Sequence, residues 1–175
     1  MFIIPSGYEA GAIQAIAQQY QGIMKTPREE REFDAGPIDN NITQWEVKLW
    51  GIPKDDDLFK DMKKMKVEFI TLHVTFPPDF PFSAPFLRVI RPRFAFHTGH
   101  VTVGGAICTF LLSNEGWNPM YRLPQVLVDI RAMFTSGKGR LDKKNTSDYT
   151  EWEAMDAFRR LLATHGWTHW KKWNL

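Results

Sequence analysis

One cysteine in 175 residues leaves no partner for an internal disulfide, and a reducing compartment fits. No apolar run approaches the ~20 residues of a membrane-spanning helix. The opening "MFIIPSGYEAG" has no basic region followed by a long apolar stretch, so no secretory signal is expected in it. An excess of charge of one sign is also missing, with a formal net charge of +2. A dedicated nucleic-acid binder concentrates basic residues on one face, so that class is not expected. Internal repeats and low-complexity linkers are absent. Asn41-Ile42-Thr43 and Asn145-Thr146-Ser147 match the glycosylation acceptor pattern. Without secretion these matches read as chance.

What is present suits one compact domain over residues 1–175. Hydrophobic residues make up 43% of the chain, enough for a packed core. Ser6-Gly7-Tyr8-Glu9 reads as a capping box. Ile13, Ile16, Ala17, Tyr20, Ile23 and Met24 then fall on one helical face, and the helix should end before Pro27. "REFDAGPIDNN" has room for a short strand. "QWEVKLW" alternates, with Trp45, Val47 and Leu49 on one side and Glu46 and Lys48 on the other. "DDDLFKDMKKMK" reads as a loop or short helix. "VEFITLHVTF" is a strand burying Ile70, Leu72, Val74 and Phe76. The four prolines of "PPDFPFSAP" bar it from a ladder, so it reads as a surface turn exposing Phe80 and Phe82. "FLRVI" is a last short strand.

Pro124 suits a first helical position, Val126, Leu127, Ile130, Met133 and Phe134 continue the spacing, and Gly137 ends it. A final helix is expected from about Ser147, with Trp152, Met155, Phe158, Leu161 and Leu162 as its buried stripe and Gly166 after its end. Consecutive strands flanked by helices point to an α+β layer rather than a parallel βαβ fold.

Cys108 lies in a long irregular stretch after Gly104-Gly105. Such a stretch inside a compact domain is usually functional. The bland alternative is a small buried hydrophobe. A cysteine protease would want a helix start at the thiol, and nothing places one there. A zinc site built on His97 and His100, or on His165 and His169, would need distant groups to converge on a single cysteine. No metal is expected.

Three fragments in order carry a resemblance. "FPPDFPFSAPFLRV" resembles the Tyr-Pro-Phe-x-x-Pro segment of ubiquitin-conjugating enzymes. "GGAICTFLL" resembles their Gly-x-Ile-Cys-Leu active-site segment, and "GWNP" their Trp-Ser-Pro. "SGKGRL" and "LLATHGW" are similar to the Q-type branch in particular. Larger members of that branch carry a further N-terminal region, so the chain reads as a catalytic core.

The resemblance implies an N-terminal helix, a four-stranded antiparallel meander and then C-terminal helices. It implies a transferase in which Cys108 carries ubiquitin as a thioester and passes it to a lysine, with hydroxyl acceptors open. The implied partners are ubiquitin, an activating enzyme, a ubiquitin ligase and a protein substrate. No cofactor is implied, because ATP is used by the activating enzyme. The implied location is the cytoplasm, the nucleus or both. By family position, Phe82, Pro119 and Met120 form the ligase-binding patch; internal packing of the turn is the other reading.

The family's His-Pro-Asn is missing. Counting back without gaps puts Thr98-Gly99-His100 in its place, with His100 in the asparagine slot. A shifted gap matches His97 instead and leaves Gly99 in the slot. His100 is then either a hydrogen-bond donor or base at the reacting centre, or an ordinary loop histidine. Asp142 stands where the family places an acidic group that orients the acceptor, or it is a solvated loop aspartate. The missing asparagine keeps open a catalytically inactive binding module, and a carrier of a ubiquitin-like modifier is also open. The tail "HGWTHWKKWNL" either covers a flank of the last helix or faces a partner or membrane surface.

Overall fold

The computed structural model describes residues 1–170. Its elements run α1 (Ala10–Met24), β1 (Phe33–Ile38), β2 (Asn41–Leu49), α2 (Asp57–Lys64), β3 (Ile70–Thr75), β4 (Phe86–Arg91), α3 (Leu123–Ser136) and α4 (Glu151–His165). The four strands form one antiparallel sheet in the order β1-β2-β3-β4. This is the α+β meander that the sequence predicts. Among the described residues, no helix is long and apolar enough to cross a membrane.

β2 behaves as its alternation requires. Trp45, Val47 and Leu49 are buried, while Glu46 and Lys48 reach solvent. Trp45 donates its indole N–H to the Ile42 carbonyl at 2.7 Å, so its one polar atom is satisfied in the core. The main core lies between the sheet, α1 and α3. A second cluster joins Ala154, Phe158 and Leu162 of α4 to Phe86 of β4 and to Ala106. It fixes α4 beside the chain that carries Cys108.

Four expectations are corrected. Ser6 and Glu9 form no capping box: α1 starts at Ala10, and the Glu9 N–H donates to the Pro78 carbonyl at 3.1 Å. The capping box belongs to α4, where Thr150 and Glu153 exchange bonds of 3.2 and 2.7 Å. The buried face of α1 is Ala12, Ile16, Gln19 and Ile23, with Met24 exposed. Gln19 is kept inside because its Oε1 accepts from the Leu123 N–H at 3.0 Å, tying α1 to the start of α3. Phe80 is buried, not exposed, with its ring 4.9 Å from Phe76. Trp152 is exposed, because six residues place it about 120° around α4 from Phe158; Ala154, Ala157, Phe158 and Leu162 are the residues α4 buries.

The segment after α4 folds back over apolar side chains. Trp167 and Trp170 pack on the second cluster, and the Thr168 N–H and hydroxyl bond the Glu115 carboxylate. The flank-covering reading of the tail therefore holds for its described part; residues 171–175 of that tail lie outside the described residues.

Asp61 ties α2 to the loop after α3. Its side chain is 2% exposed and accepts from Arg140 Nε at 2.7 Å, Arg140 Nη2 at 3.0 Å and the Leu141 N–H at 3.1 Å. The Arg140 guanidinium, with the Leu141 N–H, holds the carboxyl at a pKa of about 2. Asp61→Asn keeps the shape and removes the charge. It should cost about 2 kcal/mol, the scale of a hydrogen bond to a charged group, and lower the melting temperature by about 6 °C. The depressed folded pKa means that the charge stabilises above the unfolded value near 3.8 and is lost as pH falls towards 2. Melting curves between pH 5 and 2 should be flatter for the variant.

Candidate active site

Gly99 to Cys108 forms a small hairpin. The Thr102 N–H donates to the Ala106 carbonyl at 2.9 Å, and the Cys108 N–H donates to the His100 carbonyl at 2.8 Å. Between these bonds Val101 bridges Ile107. The hairpin hangs on the free edge of β4, where the Val89 N–H donates to the Gly105 carbonyl at 2.8 Å. Strand alternation then sorts its side chains. Val101 and Ile107 enter the core, while His100 and Cys108, directly opposite, share the other face.

The two glycines have separate reasons. A Cβ on Gly104 would lie 2.0 Å from the Glu153 carbonyl oxygen in α4. A Cβ on Gly105, whose φ is +92°, would lie 2.6 Å from the Tyr149 ring. The hairpin tip is therefore in backbone contact with the first turn of α4.

Cys108 is half-buried, and burial pushes its thiol pKa up. No hydrogen bond reaches the sulfur among the described residues. His100 is exposed, with φ 56°. Its ring lies over Gly137 at the end of α3, where a Cβ would come within 2.6 Å of Cδ2. His97 also has a left-handed backbone, φ 57°, and sets its ring against Phe96 at 3.8 Å. Each such residue costs about 1–2 kcal/mol relative to ordinary backbone. Strain of this kind gathers where side-chain placement matters.

Cys108 and both histidines line one cleft of about 430 Å³. Its far wall is α4, through Ala157, Arg160, Leu161 and Thr164. Sequence reasoning missed that wall. The signal was available in the i, i+3, i+4, i+7 spacing of these four residues, a face of α4 beside the apolar stripe.

The structure does not bring Asp142 into this cleft. Its carboxylate accepts from the Lys144 N–H at 2.8 Å and the Asn145 N–H at 3.1 Å, closing a turn. Those two donors hold its pKa below the usual carboxylate value. Phe82, Pro119 and Met120 are all exposed, Phe82 by 72% and Met120 by 76%. Trp117 links their two loops, donating its indole N–H to the Pro81 carbonyl at 2.7 Å.

Residues 15–162 match the family model described as ubiquitin-conjugating enzyme. The chain is 40% identical over 136 residues to Ubiquitin-conjugating enzyme E2 Q-like protein 1 of Homo sapiens, covering 74% of this chain and 83% of that protein. It is 31% identical over 176 residues to Ubiquitin-conjugating enzyme E2 Q1 of Homo sapiens, covering 93% of this chain and 41% of the relative. Among solved structures it is similar to human Ubiquitin-conjugating enzyme E2 G1, with 25% identity, a TM-score of 0.55, and coverage of 71% of this chain and 94% of that one.

Proposed function

The chain belongs to the ubiquitin-conjugating enzyme family, Q-type branch, and from that premise we propose that Cys108 carries ubiquitin as a thioester and transfers it to an acceptor amine or hydroxyl. The single observation that supports this most is the placement of the chain's one thiol in an open cleft, on a hairpin braced against both β4 and α4. In the first step the Cys108 sulfur attacks the ubiquitin C-terminal carbonyl held on the activating enzyme. A carbon–sulfur bond forms, the donor thiolate leaves, and the Cys108 proton is lost to base or solvent. In the second step the acceptor nucleophile attacks the same carbonyl, the Cys108 thiolate leaves, and the acceptor's proton is released. Covalent catalysis divides one difficult transfer into two easier ones.

The tetrahedral oxyanion of the second step needs a donor. The Cys108 N–H is already committed to the His100 carbonyl. The His100 imidazole, on the same hairpin face, is the group we assign to that role. His100→Ala should leave charging intact and slow discharge onto free lysine by about 100-fold, the scale of losing one oxyanion donor. His100→Asn should recover part of the rate, since asparagine tolerates the left-handed backbone and offers an amide donor. Wild-type discharge by the alanine variant would remove His100 from the chemistry. Asp142 is assigned to shaping its loop rather than to orienting the acceptor, because its carboxylate is occupied by two backbone donors.

We assign ligase binding to Phe82, Pro119 and Met120. An exposed aromatic on loops cross-tied by Trp117 is a suitable anchor. Phe82→Ala should reduce ligase-stimulated discharge by about tenfold, while charging and melting temperature stay as in wild type. Equal stimulation of both proteins would remove the patch.

The test of the whole reading is a charging assay with activating enzyme, ATP and ubiquitin. The expected product is a ubiquitin adduct that disappears on thiol treatment. Folded protein that forms no such adduct overturns the proposal.

A further inference from the structure

We propose that the cleft between the Cys108 hairpin and α4 is an acceptor-binding site selective for segments that carry an apolar side chain and a carboxylate near the reacting group. The proposal rests on the thioester reading above and adds the class of substrate.

The cleft has the size of a ligand site: about 430 Å³ against a usual ~300–1,000 Å³. Cys108 and His100 lie in its wall, so a chain lying in it brings a side chain to the thioester. Its apolar banks are Phe96, 72% exposed, and Val103, 60% exposed, with Leu161 between hairpin and helix. Large apolar side chains left in water on both banks of one groove mark a surface that a partner covers.

The charge on the cleft has one sign. Arg160 and the two histidines line it, and no carboxylate does among the described residues. Asp156 pairs with both Arg159 and Arg160 from the same helix, so the trio retains one net positive charge. The Arg160 side chain is 61% exposed and free to turn a second N–H towards an incoming carboxylate. A basic segment meets only like charge there. Free lysine, too short to reach from the thioester to α4, uses the nucleophile site alone.

The experiment pre-charges the protein with ubiquitin and follows single-turnover discharge at sub-saturating peptide. Three lysine peptides of equal length serve as acceptors, carrying leucine and glutamate, leucine and arginine, or glycine and serine beside the lysine. Each rate is expressed relative to discharge onto free lysine by the same variant. The leucine–glutamate peptide should react about fivefold faster than the leucine–arginine peptide, the scale of one exposed ion pair. Arg160→Gln should abolish that preference, and Arg160→Glu should invert it. Equal rates for all three peptides with the wild-type protein, or an order unchanged by Arg160→Glu, overturns the acceptor site while the transferase reading stands. A protein that never charges overturns both.

Discussion

Cys108→Ala is expected to abolish the thiol-sensitive ubiquitin adduct completely while leaving the protein folded. The chain has no second cysteine, so no other thiol substitutes for it. The side chain is half-buried and makes no hydrogen bond among the described residues, so its removal strands no polar partner. Losing one partly buried sulfur should cost about 1 kcal/mol, or about 3 °C in melting temperature. The two readouts are therefore separable: charging falls to nothing and the melting curve barely moves. Cys108→Ser sharpens the test, because a hydroxyl that accepts ubiquitin gives an ester that resists thiol treatment. The pH dependence has a definite sign. Burial raises the thiol pKa above its ordinary value, so the thiolate is a minor species at neutral pH. Charging limited by thiolate attack should rise about tenfold per pH unit between pH 6 and 8. A flat profile with the adduct still formed would show that proton loss does not limit charging. An adduct of wild-type yield on Cys108→Ala would place ubiquitin on another residue.

The strands and the thiol were legible in the sequence because each leaves a local trace. β2 alternates since one face is buried and the other is wet, and both faces are written into Trp45-Glu46-Val47-Lys48-Leu49. The hairpin was half legible. His100 and Cys108 stand four residues either side of Gly104, and folding the chain at the Gly-Gly turn sets them opposite each other. What failed was decided by residues far away. Ser6–Glu9 and Thr150–Glu153 carry the same capping pattern. Only the second forms, because the Glu9 N–H is taken by the Pro78 carbonyl. Asp61 looks like its solvated acidic neighbours, yet it is the one buried, since its guanidinium partner arrives from 79 residues downstream. Trp152 has the composition of a core residue and the wrong angle on α4. The α4 wall of the cleft was hidden for a related reason: Arg160 and Thr164 read as ordinary surface residues until the hairpin is seen to face them.

Gly104→Ala is the substitution that should separate position from chemistry. It changes no group in the cleft lining, and Gly104 is four residues from Cys108. A new Cβ would sit 2.0 Å from the Glu153 carbonyl oxygen, a backbone atom inside a capped helix. No rotamer change relieves that contact, so the hairpin tip must lift off α4 or the first turn of α4 must shift. Overpacking of this kind costs about 1–3 kcal/mol, and a folded variant melting about 6 °C lower is expected. The larger effect should be on charging. The hairpin hangs from β4 at the Gly105 carbonyl, next to the displaced residue, and the displacement passes along the ladder to the His100–Cys108 pair. A shift of ~1 Å in a reacting atom can reduce the rate by about 100-fold. Gly11→Ala and Gly22→Ala are the controls, since a Cβ at either position in α1 meets nothing within 4 Å. Both should be stabilised by up to about 1 kcal/mol with charging unchanged. If Gly104→Ala charges at the wild-type rate, the contact between the hairpin and α4 is not what holds the thiol in place. The bond from β4 would then carry that task alone.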